Sequence, residues 1–197
     1  MNRDRLTAFT DGVMAVIITI MVLELKVPHD TSLAALAGVW PVFLSYLLSF
    51  IYVAIYWNNH HHFFQLVPKI GGGLLWANLH LLFWLSLTPF ATAWMGENHF
   101  APLPTALYGI VLLMCAVAWT LMQTVILRLQ GPDSKLRQAI GADGKGKISP
   151  ILYAAGIGCS FYAPLVGLAF YAAVAFMWLI PDRRIEHAIT GEHKSKG

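Results

Sequence analysis

The run LTAFTDGVMAVIITIMVLEL, residues 6–25, decides how this chain is read. It is apolar and long enough to cross a bilayer, which takes about 20 helical residues at about 1.5 Å each. Asp11 lies near its start, a costly residue at membrane depth unless it is paired or hydrated, and Arg5 lies six residues earlier. An ionisable pair at the mouth of a span either marks a functional site or only fastens helices together. At about 100° per residue, Val16, Ile20 and Leu23 form one stripe with Thr19 on its flank, and Asp11 points away from it, toward whatever packs behind. Taken alone, that spacing favours an ordinary packing seam against a neighbouring helix.

Composition sets the class. Of 197 residues, 57% are hydrophobic and 12% charged, with a mean hydropathy of +0.62. This is far more apolar than a soluble domain and predicts an all-α, polytopic membrane protein in the lipid bilayer. The net charge of +3 and pI near 8.9 invite a nucleic-acid reading. The Lys and Arg residues sit in loops between apolar runs, however, which is a topology signal, and no nucleic-acid partner is expected. Cys115 and Cys159 lie inside apolar runs without metal-ligand spacing and read as small buried hydrophobes. The N-terminus carries Arg3, Asp4 and Arg5, but the apolar run continues past Ala15 without a small-residue cleavage site. The first span is therefore expected to stay in the mature protein.

Four spans are predicted over approximately 6–26, 33–57, 74–95 and 104–127, followed by a hydrophilic stretch at 128–149. The GADGKGK segment there lacks both the GxxxxGK[ST] spacing and a preceding strand, so it reads as a flexible loop and not a phosphate cradle. The last apolar block, 150–180, would make a helix of about 46 Å, too long for one span of about 30 Å. Splitting it at Ala163-Pro164 gives spans 150–162 and 165–180. Six spans with both termini cytoplasmic leave only Lys26 of the thirteen Lys and Arg residues outside, whereas five spans break that pattern. The expected organisation is one transmembrane domain, 1–187, and a polar tail, 188–197.

Other polar residues are sparse. Trp57, Asn58, Asn59 and His60–His62 form a patch at the cytoplasmic end of the second span. Adjacent helical residues diverge, so the three histidines cannot ligate one ion, and no metal site is expected. A narrower role is that His60 or His61, with Trp57, braces the Asp11 end of the first helix. Histidines there are also candidate pH-sensitive elements. Asn78 and His80 in the third span read as bundle glue, joined to the Asp11 network. Glu24, close to Lys26, either enriches cations at the outer mouth or simply lies in the interface. No HExxH, GxSxG or CxxC motif occurs and no paired carboxylates are read at one depth, so enzyme chemistry is not expected, nor is a cofactor.

Arg5, Phe9, Thr10 and Asp11 match an RxxxF[ST]D signature, and the match runs on through GVMAVIITIMVLELKVP to Pro28. In this the chain resembles the transmembrane protein 175 family of potassium channels. Its length, its number of apolar runs, the YWNNHHHFF block and the PDRRIE ending add looser support over residues 3–187. Thr10 stands where serine is usual, which keeps the hydroxyl.

The resemblance implies that the first helix of each subunit lines a pore without the carbonyl-lined TVGYG filter, a sequence absent here. It places Val16 at the principal apolar constriction, Ile20 and Leu23 in further rings, and Thr19 in a hydroxyl ring linked to potassium preference. Arg5, Phe9, Thr10, Asp11 and Gly12 would hold the helix in place. Val16 is smaller than the isoleucine or leucine usual there, which implies a looser closed gate. Animal members carry two six-span repeats, so one repeat implies symmetric assembly, most simply a homotetramer. The expectation is a potassium channel of the cell membrane, with potassium as permeant and protons as a further permeant. Two alternatives stand beside it: a proton-coupled secondary transporter switching on Asp11, and an accessory structural membrane subunit.

Overall fold

The computed structural model describes residues 2–67, 70–131, 137 and 144–179. The expected tail 188–197, the PDRRIE ending and half of 128–149 lie outside the described residues. Among the described residues there are eight helices and no strand.

Helix α1 spans Arg3–Leu23 without a break, begun by Asn2, whose side chain accepts from the Asp4 N–H, and followed by Pro28. The segment expected as one span over 33–57 is two helices, α2 (Leu33–Gly38) and α3 (Trp40–Gln65). Pro41 explains the division, since it cannot donate back to Ala37, and Val39 caps both pieces. Helix α3 then runs on through His60–His62, beyond the expected end at 57.

Proline also divides the third span, into α4 (Gly72–Ser86) and α5 (Thr88–Glu97), where Pro89 supplies no N–H and Leu87 turns back to Trp84. Helix α6 is Pro102–Gln130. Helix α7 is Gly144–Ser160, so Gly144–Lys147, expected in a loop, form its first turn. Helix α8 is Pro164–Leu179, entered at the proline expected to divide the block.

Four stretches are long and apolar enough to cross a bilayer: Arg3–Leu23, Trp40–Gln65, Gly72–Glu97 and Pro102–Gln130. The bundle is asymmetric. Helix α6 packs against α4, α5, α7 and α8, and α3 reaches both α5 and α8. Helix α1 packs only along one side, on α3, α4 and α5.

Lipid tails are as apolar as leucine, so close packing and hydrogen bonds, not water exclusion, hold such helices together. Both are present. A Cβ at Gly96 on α5 would come within 2.8 Å of the Val42 backbone on α3, and one at Gly109 on α6 would overlap the Tyr171 hydroxyl. Ser49 bonds Thr92 at 2.6 Å and Tyr108 at 3.0 Å, and the Tyr52 hydroxyl donates to the Tyr171 carbonyl at 2.6 Å.

Candidate functional site on helix α1

Helix α1 has two unlike faces. Leu6, Thr10, Met14, Ile17 and Met21 recur at helical spacing and are all buried against α3, α4 and α5. On the opposite side Phe9, Val16, Ile20 and Leu23 are 52%, 55%, 43% and 79% exposed. Gly12 on that side meets nothing within 4 Å. A row of large apolar side chains is thus left without a partner in the subunit.

Thr19 is exposed beside this row, and its hydroxyl donates to the Val16 carbonyl at 2.9 Å. With the proton committed to the backbone, the oxygen lone pairs are what the side chain offers to a ligand. That suits a cation, not an anion.

The N-terminal half of α1 is pinned by its neighbours. Thr10, fully buried, accepts from Asn78 Nδ2 on α4 at 2.9 Å, and the Asn78 oxygen accepts from His60 Nε2 on α3 at 2.9 Å. His60 is itself buried and stacked on Phe64, with centroids 4.2 Å apart. This joins three helices through a relay whose polar atoms are satisfied.

Asp11 is placed differently from the expectation. Thr10 is the residue that turns inward, and Asp11 stays exposed at the α3 edge, where Trp57 Nε1 donates to it at 3.0 Å. A carboxylate is cheaper at a wetted edge than behind a packed helix. Arg5 is exposed and makes no ion pair with Asp11 among the described residues, so the expected pair does not form within one subunit.

His61 is exposed, bonded to Gln65 at 2.9 Å and stacked on Trp57. His80 accepts from Trp84 within α4 at 3.0 Å. Neither joins the Thr10 relay, and Asn78 reaches Thr10, not Asp11.

Just beyond the C-terminal end of α1, Lys26 pairs with Glu97 on α5, a partner that neighbour spacing around Glu24 does not suggest. The hydrogen bond and charge of Glu97 raise the Lys26 ammonium above its ordinary pKa. No group of three or more His, Cys, Asp and Glu able to hold a metal occurs among the described residues.

Residues 5–89, which carry both faces of α1 and the groups that pin it, match the family described as the endosomal/lysosomal potassium channel TMEM175. A protein of Chryseobacterium sp. (strain P1-3), named a potassium channel, is 57% identical over 96% of this chain and 98% of its own length. The chain belongs to the TMEM175 family. Its fold matches the crystal structure of a lysosomal potassium-selective channel TMEM175 homologue from Chamaesiphon minutus, with a TM-score of 0.80 and 26% identity. That match covers 91% of this chain and 97% of the other. An endosomal/lysosomal proton channel TMEM175 of Gallus gallus is 32% identical over 81 residues, 35% of this chain and 16% of that protein.

Within this TMEM175 family chain, sequence reasoning alone overlooks the buried row of Met14, Ile17 and Met21. The signal is present, since these residues repeat at helical spacing opposite the Val16 stripe. Apolar residues on both sides of a membrane helix hide which side packs.

Proposed function

We propose that this chain is one subunit of a potassium channel, a homotetramer in the cell membrane whose pore is lined by α1 of each copy. One observation carries the reading. In a chain 57% identical to a protein named a potassium channel, the α1 face bearing Val16, Ile20 and Leu23 is unpartnered while the opposite face is packed. Each subunit crosses the membrane six times, through the four long stretches and then α7 and α8, with both termini cytoplasmic. Residues 1–187 act as one domain.

In this arrangement Val16 forms the constriction, and Ile20 and Leu23 add rings about 6 and 10 Å further out along the helix. A ring of branched side chains gates by excluding water, and an ion passes only when the ring widens enough to stay wet. Thr19 contributes a ring of hydroxyl oxygens next to the constriction, in place of the absent TVGYG filter. Arg5, Phe9, Thr10, Asp11 and Gly12 keep α1 in position, with Trp57, His60 and Asn78 as the groups that brace it. Potassium is the permeant, protons can follow the same wetted path, and no cofactor is needed. Helix α1 is continuous over 21 residues, which argues against a transporter site built on a broken helix.

The test is flux from purified protein in liposomes, potassium inside against sodium outside, for wild type and Val16→Asn. Selective flux that rises in the variant is the expected result. Folded protein that carries no flux in either form would reject the channel reading.

A further inference from the structure

A cleft of about 820 Å³ opens at the outer end of the subunit, between the link leaving α1, the short helix α2 and the first turns of α3. Its apolar walls include Leu36, Trp40 and Phe43, exposed by 60%, 54% and 54%, and its charged groups are Glu24, Lys26 and Glu97. We propose that this cleft binds an amphipathic organic cation, one ammonium on an aromatic or branched apolar body, and that the bound cation restrains the pore helix. The binding half stands by itself, and the effect on flux rests on the channel reading above.

Charge selects the ligand. Lys26 is already paired with Glu97, while Glu24 has no ion-pair partner among the described residues. The cleft therefore carries two carboxylates against one ammonium, which repels phosphates and carboxylates and favours a cation. The two half-exposed rings point the same way, since aromatic faces attract ammonium groups. A cavity of this size with apolar walls and a few polar groups has the character of a small-molecule site, not a bare-ion site. A hydrated potassium ion gains nothing from Leu36 or Phe43, whereas an ammonium on an apolar body uses both kinds of wall.

Position gives the consequence. One wall is the end of α1 and its link through Pro28, and the facing wall is the start of α3. Widening the rings at Ile20 and Leu23 requires the outer end of α1 to move relative to α3. A ligand seated between them ties the two together and opposes that movement, so flux falls.

The experiment is calorimetric titration of benzyltriethylammonium into the full-length protein in nanodiscs, with flux measured in parallel in liposomes. The expected result is saturable binding of one cation per chain and no binding of benzyl alcohol. Glu24→Gln and Trp40→Ala should each weaken binding at least tenfold. Lys26→Met should strengthen it severalfold by freeing Glu97. Block inside the pore would instead be relieved by raising potassium and would be indifferent to Trp40→Ala. Absence of saturable binding, as when a neighbouring subunit fills the cleft, overturns the proposal, and so does binding unchanged in both weakening variants. Binding that follows the expected pattern in protein that conducts nothing would reject the channel reading and leave the site standing.

Discussion

Asn78 on α4 donates a 2.9 Å hydrogen bond to the Thr10 hydroxyl on α1, and that bond sets which face of α1 turns into the subunit. Both residues are almost completely buried, and the Asn78 oxygen is already taken by His60. Rotating α1 by one residue would take the Thr10 hydroxyl away from Asn78 and carry the Asp11 carboxylate inward, a charge far costlier to bury than a hydroxyl. The relay therefore works as a rotational key, and the exposure of Val16, Ile20 and Leu23 follows from it.

Thr10→Ser keeps the acceptor and should leave stability within roughly 0.5 kcal/mol. Thr10→Val keeps the shape but orphans a buried amide hydrogen and should cost about 1 kcal/mol, since membrane helix–helix bonds are individually modest. Reversible unfolding in mixed detergent micelles measures both. A Thr10→Val protein as stable as wild type would show that this bond does not set the rotation of α1.

Trp57→Phe should keep the ring beside His61 while removing the indole hydrogen that reaches Asp11. The bond lies at an exposed edge, so a double-mutant cycle with Asp11→Asn should give a coupling of about 1 kcal/mol or less. Zero coupling would mean that Asp11 is held by something other than Trp57, such as an Arg5 from another copy.

Much of this arrangement is legible in the sequence, and the part that is not has a clear physical cause. An unbroken apolar stretch with Asp11 at one end fixes α1 as a span, because length and hydropathy suffice for that. Its rotation is another matter. Thr10 and Asp11 are adjacent and both polar, and the choice between them is made by Asn78 and Trp57, which lie 68 and 46 residues away. Likewise Pro41 and Pro89 are visible as prolines, but whether a proline kinks a span or divides it depends on what packs beside the break. Lys26 finds Glu97 across 71 residues, a pairing no local spacing encodes.

Gly109→Ala should be disproportionately harmful, because the new methyl group would overlap the Tyr171 hydroxyl, itself bonded to Ser160 at 3.2 Å. Overpacking of this kind costs about 1–3 kcal/mol. Tyr171→Phe removes the oxygen but leaves the ring carbon Cζ 2.4 Å from the new methyl group, whereas Tyr171→Leu removes both, so Tyr171→Leu should recover part of the loss and Tyr171→Phe should not. Thermal unfolding in detergent distinguishes this from a general intolerance at Gly109, in which the second substitution would add damage.

Val16→Leu should narrow the constriction and lower basal flux relative to wild type, the opposite of Val16→Asn. The side chain is 55% exposed in the subunit, so the longer residue has room and stability should change by less than about 0.5 kcal/mol. Equal flux in Val16→Leu and wild type, measured in the same liposomes, would move the constriction to Ile20 or Leu23.

The Lys26–Glu97 pair gives a pH dependence whose sign is set by linkage. The folded-state pKa of Lys26 is raised above 10.5 by Glu97, so the folded protein holds this proton more tightly than the unfolded chain does. The stabilisation is therefore fully present below pH 10.5 and is lost as pH climbs through the raised value. Comparing wild type with Lys26→Met at pH 8 and pH 11.5 should show a stability advantage for wild type at the lower pH that shrinks at the higher one. Because the pair is exposed, the advantage should also shrink in 1 M salt, where screening acts over about 3 Å. An advantage that grows with pH would mean that Glu97 is not the partner that matters, and that Lys26 acts through its hydrocarbon stem in the cleft beside α2.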